Sequence, residues 1–299
     1  MVRFAGSELL ESSHETANEN DNFEVTDVSQ QGRTPVKIAV HGAAGRMGQR
    51  LVAMGSADHA LKIVAGVDWA KSPAQGKDIG DLAGVGTLGV PLTAEIPPEV
   101  RVDTLIDFST PEGTMSILET CIDRKIPLVV ATTGHTLEQK QEILAAAHQI
   151  PVLFSPNMSL VVNVLFELTR VASRVLRDKG FDVEIIERHH RFKKDSPSGT
   201  ALQFARIVQE EMGQTHLQHG REGLLGERPS HEIGVHAVRG GDNVGEHTVV
   251  FTTLGETLEL VHKGHSRDSY ALGALAAAKF LVAKRAGSYK MEDVLGIGE

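Results

Sequence analysis

The stretch from Pro35 to Gly55, "PVKIAVHGAAGRMGQRLVAMG", decides how the rest of the chain is read. Val36 to Val40 is a short, mostly apolar run, long enough for a buried parallel strand. Glycines follow at 42, 45 and 48, and an amphipathic helical pattern continues through Leu51, Val52 and Met54. A strand, a glycine-rich turn and a helix in direct succession open a dinucleotide-binding unit. Gly42 permits the tight turn, Gly45 lets the backbone approach a pyrophosphate, and Gly48 lets the helix press on the strand. The helix N-terminus then offers free N–H groups and a positive dipole end to phosphates. The spacing is G-x-x-G-x-x-G rather than G-x-G-x-x-G, and the chemistry is the same. A tight turn without a ligand would also use glycines. What favours a nucleotide is Asp68, which closes the next apolar run, "LKIVAGVD", where an acidic residue can bond an adenosine ribose. That carboxylate would repel a 2′-phosphate, and the next residue is Trp69 rather than an arginine. NADH is therefore the expected cofactor, with NADPH as an alternative that Arg46 and Lys71 could assist.

Outward from this unit, apolar runs and helical patterns alternate. "RVDTLIDFST", "IPLVVATTG" and "IPVLFSPNMS" read as strands, with "PEGTMSILETCIDRK" and "TLEQKQEILAAAHQ" as the helices between them. Right-handed crossovers of this kind predict an α/β domain, a Rossmann-like doubly wound parallel sheet. The pattern changes after Asn157. A helix, "LVVNVLFELTRVASRVL", leads to the strand "FDVEIIERHH" and the helix "GTALQFARIVQEEM". Residues 214–230 read as a Gly-, Glu- and His-rich loop. Three β-rich runs follow in succession, "EIGVHAVRG", "GEHTVVFTTLG" and "ETLELVHKGHS". They predict a C-terminal α+β domain with a mixed or antiparallel sheet. The last helical pattern, "YALGALAAAKFLVAKR", must pack its apolar stripe somewhere, and the first domain is the expected place. The predicted organisation is a dinucleotide-binding domain over residues 35–158 and 267–299, with a second domain over 159–266. Residues 1–34 are polar, acidic and unpatterned, and predict a disordered extension.

The totals narrow the function. The chain has 299 residues and a net charge of −9, which disfavours general nucleic-acid or membrane binding. No apolar run reaches the ~18 residues of a membrane span, and no secretory start is read at the N-terminus. The single cysteine, Cys121, lies in an amphipathic helical pattern and reads as a small buried apolar residue rather than a nucleophile. With one cysteine no disulfide can form within the chain, and a cytoplasmic location is expected.

Against this acidic background stands a local basic cluster, "EIIERHHRFKKDSPSGTAL", from Glu184 to Leu202. Adjacent His189 and His190 would point to opposite faces of a strand, so they can share a ligand only where the strand ends or bends. They lack the third ligand and the spacing of a zinc site, so no metal is expected. The following "SPSGT" is a helix start. Ser198 or its neighbour can cap it, and Gly199 and Thr200 then present N–H groups and a hydroxyl. Such a terminus beside His190 and Lys193 makes a site for a small dicarboxylate, and a histidine there can donate a proton near neutral pH.

The segment from His189 to Ala201 resembles the H-H-x-x-K-x-D-x-P-S-G-T-A signature of the dihydrodipicolinate reductase (4-hydroxy-tetrahydrodipicolinate reductase) family of the diaminopimelate route to lysine. "VHGAAGRMGQ", "DFSTPEGT", "ATTGH", "SPNMSLVVNV", "GEHTVVFTTLGETLELVHK" and "MEDVLG" are also similar to that family, so the resemblance runs from Val36 to the C-terminus. It implies an NAD(P)H-dependent oxidoreductase in which His189 is proton donor and acceptor. Lys193 would be a proton donor that also meets the substrate. His190, Gly199 and Thr200 would bind the substrate carboxylates. Gly42, Ala43, Ala44, Gly45, Arg46 and Met47 would hold the pyrophosphate and Asp68 the ribose. Ala131, Thr132 and Thr133, with Ser155, Pro156, Asn157 and Met158, would flank the nicotinamide end. Arg267 and Tyr270 would lie near the hinge and the cofactor. The resemblance also implies a homotetramer joined through the second domain. Trp69 and Thr110 stand where some members carry arginine, which points away from a strong NADPH preference. Two other readings share part of this pattern. Another two-domain nicotinamide dehydrogenase would lack the His-His-to-Gly-Thr motif, and an NAD(P) sensor without turnover would have no use for His189, His190 and Lys193.

Overall fold

The computed structural model describes residues 34–297, so the extension expected over residues 1–34 lies, but for Thr34, outside the described residues. From Pro35 onward the chain forms one unit. It opens as the glycine-rich stretch requires, with β1 (Val36–His41) leading through the Gly42–Gly45 turn into α1 (Arg46–Ala57). The chain continues through β2 (Leu61–Val67), α2 (Ile79–Ala83), β3 (Leu92–Thr93), β4 (Thr104–Asp107), α3 (Pro111–Arg124), β5 (Leu128–Val130), α4 (Leu137–Ala146) and β6 (Pro151–Phe154). The second half comprises α5 (Leu160–Leu176), β7 (Asp182–His189), α6 (Gly199–Met212), β8 (His216–His219), β9 (Glu232–Arg239), β10 (Gly245–Thr253) and β11 (Glu256–Gly264). It closes with α7 (Asp268–Leu281), β12 (Gly287–Tyr289) and α8 (Met291–Leu295).

The first sheet has seven strands in the order β12-β6-β5-β4-β1-β2-β3, and every pairing is parallel. Its strands are apolar on both faces because both faces are covered. Ile38 and Val40 of β1 join Leu51 and Val52 of α1 and Leu275 of α7 in one core. Ala39 points the other way, into a core with Leu105, Leu118 and Ile143 beneath α3 and α4. The strand order reverses between β1 and β4, the switch point at which ligands of such sheets bind. Local signals set the helices: Thr110 accepts from Gly113 N–H with Pro111 at the first position of α3, and Thr136 and Gln139 cap α4 reciprocally.

The second sheet has five strands in the order β11-β10-β7-β9-β8 and is mixed, as expected. β10 pairs antiparallel with β7 and β11, whereas β7, β9 and β8 run parallel. Val183, Ile185, Val249 and Phe251 meet Phe166 of α5 and Phe204 of α6 in its core. The closing helix α7 returns to the first domain, where a run of small residues lets it lie close to the sheet. Gly273 is needed there, since a Cβ would collide with the carbonyl of Met158 and push away the loop after β6.

One reading needs correction, and the sequence reading has no counterpart for α2, β3 and β12. The segment 214–230 is not all loop, because His216–His219 adds β8 to the sheet edge beside β9. The short elements α2 and β3 lie in a stretch without strong periodicity. β12, a three-residue strand after α7, adds an edge to the first sheet beside β6.

Candidate active site

Glycine chemistry sets the nucleotide side. Gly42 has φ +77°, and a Cβ on it would overlap the carbonyl of Phe108, so no other residue fits that turn. A Cβ at Gly48 would strike the Gly42 carbonyl, which fixes how α1 sits on the loop. Gly45 precedes α1 and no side chain caps the helix. Its first-turn N–H groups therefore remain available to a pyrophosphate, and the residues present fit that group. Asp68 accepts from the N–H of Ala44 (3.0 Å) and of Trp69 (2.9 Å), which places an acidic side chain against the glycine loop; the Trp69 side chain is exposed.

At the mouth of the parallel sheet, the Asp107 carboxylate at the end of β4 is fully buried. It takes hydrogen bonds from Ser109 Oγ (2.6 Å), Thr114 Oγ1 (2.6 Å) and Thr132 Oγ1 (2.8 Å), and contacts His41 Nδ1 at 2.8 Å. Burial pushes its pKa up, but these partners, His41 first, prevail and hold it below the ordinary carboxylate range. One side chain thus ties the strand before Gly42, the start of α3 and the loop carrying Thr132.

On the second domain, β7 alternates. Val183, Ile185, Glu187 and His189 face the helices, so the apolar face of the strand turns polar at its C-terminal end. His189 is the last strand residue and His190 lies just beyond. The chain bends there, with His190 N–H donating to Asn243 O (2.8 Å), and both histidines line the same cleft. Ser198 caps α6 by accepting from Ala201 N–H at 3.2 Å. Gly199 and Thr200 then face the cleft from the first turn, where their N–H groups have no intrahelical acceptor. Lys193 reaches the same space and pairs with Asp195 (Nζ to Oδ1, 2.8 Å).

The two sides meet across a cleft of about 710 Å³. Arg46, Met47, Ala131, Thr132 and Thr133 line it from the nucleotide side, joined by Pro156, Asn157, Met158 and Arg267. His189, His190, Lys193, Gly199 and Thr200 line it from the other. Gly42, Ala43, Ala44, Gly45 and Asp68 do not line the cleft, and neither does Ser155, whose hydroxyl bonds to Asn157 O (2.9 Å). Asn157 bridges the halves: its Nδ2 donates to Thr200 Oγ1 at 3.0 Å, and its Oδ1 accepts from Ser159 N–H. Tyr270 lines the cleft too, and burial raises its pKa.

The His189 ring is held on several sides. Nδ1 contacts Glu187 Oε2 at 2.6 Å, and the His247 ring packs edge-on at 5.2 Å between centroids. Nε2 lies beside Gly245, where a Cβ would come within 3.0 Å of it. Burial lowers the His189 pKa while Glu187 pulls it back up; the net is below the ordinary histidine range. Glu187 is itself fully buried, yet Arg239, His189 and the Ser198 N–H outweigh that burial and keep its carboxyl below the usual range. His247 is pushed down to about 3, first by burial, and so stays neutral. Sequence reasoning missed Glu187, Arg239 and Asp107 as parts of the site. Glu187 had a readable signal, since it lies two residues before His189 on the same face of a strand. Arg239 had none, because its place beside Glu187 depends on β9 pairing with β7. Among the described residues no group of three or more His, Cys, Asp or Glu side chains is placed to hold a metal ion, and no helix is long and apolar enough to cross a membrane.

Comparison with known proteins gives the family. Residues 36–158 match the family model described as dihydrodipicolinate reductase, N-terminus, and residues 161–295 the model described as dihydrodipicolinate reductase, C-terminus. A 4-hydroxy-tetrahydrodipicolinate reductase of Rhodopirellula baltica is 47% identical over 273 residues, covering 89% of this chain and 98% of that protein. One of Burkholderia lata is 47% identical over 266 residues, covering 88% of this chain and 100% of that protein. A solved structure, dipicolinate-bound dihydrodipicolinate reductase from Paenisporosarcina sp. TG-14, superposes with a TM-score of 0.68 at 25% identity, covering 86% of this chain and 98% of that one. Family matches across both halves of the chain, with relatives 47% identical over most of it, place the chain in the dihydrodipicolinate reductase family.

Proposed function

We propose that this chain reduces 4-hydroxy-tetrahydrodipicolinate to tetrahydrodipicolinate in the diaminopimelate route to lysine, the ring losing its 4-hydroxyl as water and gaining a hydride from a nicotinamide cofactor and a proton. The observation that carries the reading is the cleft itself. It sets His189, His190, Lys193 and the first turn of α6 opposite the loops that follow β5 and β6. The dipicolinate bound by the Paenisporosarcina relative supports a small ring dicarboxylate as substrate.

In this reading the first turn of α1 holds the pyrophosphate, Asp68 the ribose, and the loops at Ala131–Thr133 and Ser155–Met158 the nicotinamide end, which supplies hydride. His190, the N–H groups of Gly199 and Thr200, and the Thr200 hydroxyl bind the substrate carboxylates, while the Lys193 ammonium offsets their charge. Proton transfer falls to His189 at Nε2, since Nδ1 is taken by Glu187. In the free protein burial favours the neutral imidazole. A dianionic substrate beside the ring favours the imidazolium, so binding itself readies the donor. Lys193 is the second proton source facing the cleft. Closure of the two domains would exclude water during the reaction.

The finer features belong to the same proposal. NADH is preferred, because Asp68 and the exposed Trp69 stand where a 2′-phosphate would lie; NADPH is the weaker alternative. The molecule works as a cytoplasmic homotetramer, joined through the face of the second sheet that α5 and α6 leave uncovered, where Val238 and Val261 are exposed. The test is NADH oxidation followed by absorbance with freshly generated substrate, repeated with NADPH. Turnover with a higher kcat/KM for NADH is expected. No turnover with either cofactor would reject the activity, and equal or higher kcat/KM for NADPH would reject the preference.

A further inference from the structure

Behind the cleft wall lies a buried ion pair that touches neither substrate nor cofactor space. Glu187 Oε2 contacts His189 Nδ1 (2.6 Å), and Oε1 accepts from Ser198 N–H (2.9 Å). Arg239, on the neighbouring strand β9, grips both oxygens, Nη1 to Oε2 and Nη2 to Oε1, each at 2.6 Å. The same Nη2 donates to the carbonyl of Asp195 at 2.7 Å, and Asp195 is the residue that pairs with Lys193. Two side chains therefore reach the three parts of the anion and proton-transfer site: the imidazole, the capped start of α6, and the loop that carries Lys193.

We propose that Glu187, clamped by Arg239, is a positioning residue: it holds His189 in the Nδ1–H form with Nε2 free toward the cleft, and through Arg239 it fixes the loop bearing Lys193. The proposal rests on reading His189 as the group that moves the proton. A bidentate guanidinium fixes the carboxylate in plane and direction, which an isolated buried carboxylate would not keep. A carboxylate on Nδ1 selects one tautomer, because only a protonated Nδ1 can meet it with a hydrogen bond. The other groups facing His189 are Arg239 from β9, Lys193 from the following loop and His247 from β10. His247 is in turn fixed. The Ser198 hydroxyl accepts from Ala201 N–H and also makes a hydrogen bond with His247 Nε2 at 3.2 Å. Glu187 is thus the anion among these neighbours, and the orientation of the ring depends on it.

Nitrogen-15 NMR of histidine-labelled protein, with neither substrate nor cofactor, reads the tautomer directly. Wild type is expected to show a protonated Nδ1 and a bare Nε2 at His189 when the ring is neutral. In Glu187→Gln the amide oxygen remains with Ser198 N–H and one guanidinium N–H, so the amide NH2 turns to Nδ1 and the proton moves to Nε2. Turnover should then fall roughly 10²-fold or more, the scale of a lost general acid, with the Kd for NADH unchanged. Arg239→Lys gives a second reading. It keeps a cation on Glu187 but cannot also reach Asp195 O, so the Nδ1–H form persists while the substrate KM rises roughly tenfold. An unchanged tautomer and turnover in Glu187→Gln, or an unchanged KM in Arg239→Lys, would overturn the proposal. Because the tautomer is read without substrate, a wild-type protein that reduces nothing would reject the activity and leave this result decided on its own.

Discussion

At the scale of single residues, the site pairs His189 with a buried carboxylate, Glu187, and Lys193 with an exposed one, Asp195. The grouping of His189 with Lys193 and Ser198–Thr200 was legible because they lie within a dozen positions, and the structure brings them to one cleft. The support of His189 was legible only in part. The alternation of β7 puts Glu187 on the same face as His189, yet nothing local to Glu187 reveals that Arg239 neutralises it from 52 residues away. The balance at His189 leads to a pH prediction. The donor must be protonated, so kcat/KM should fall as pH rises through the pKa of the free protein, which burial sets below the ordinary histidine value. In the complex two carboxylates face the ring and stabilise the imidazolium, so the same fall in kcat should lie at higher pH. Measuring both parameters across pH checks this. A limb in kcat at lower pH than the limb in kcat/KM contradicts it.

At the scale of elements, what was legible follows from how local the determinants are. The strand–turn–helix of β1 and α1 declared itself through glycine spacing, and the structure gives the reason: carbonyls at Gly42 and Phe108 occupy the space where side chains would begin. The caps of α3, α4 and α6 also stand in the sequence as Thr-Pro, Thr-x-x-Gln and Ser-Gly-Thr. The short edge strands β8 and β12 do not, because "HLQH" and "GSY" bury little and pair only through their neighbours. The start of α6 bears the greatest functional weight of these elements, and Ser198 links it to the sheet through His247. Ser198→Ala removes a cap worth about 1 kcal/mol and leaves buried His247 Nε2 without its hydrogen-bond partner, a further ~1–3 kcal/mol. A thermal melt should shift down by roughly 4–10 °C, with Ser198→Thr recovering much of the loss. An unaltered melting temperature in Ser198→Ala would show that the cap contributes little.

At the scale of the whole molecule, two different sheets within one unit each line one side of a cleft. The parallel sheet presents an uncapped helix start and the loops after β5 and β6; the mixed sheet presents a capped helix start and a cationic loop. Asn157, bonded to Thr200, joins them at the floor of the cleft. The second, mixed sheet was legible in the switch from alternating strands and helices to consecutive strands after Asn157. The packing of α7 against the parallel sheet was legible as well, from an apolar stripe that needed a partner. The pairing of the two halves across one cleft depends on the folded chain. The most direct test of the account separates those halves. Steady-state turnover and NADH affinity of His189→Gln are measured beside wild type. The account expects kcat lower by roughly 10²-fold or more and an NADH Kd within about twofold, since His189 belongs to the half that does not hold the dinucleotide; a variant that turns over at the wild-type rate would contradict it.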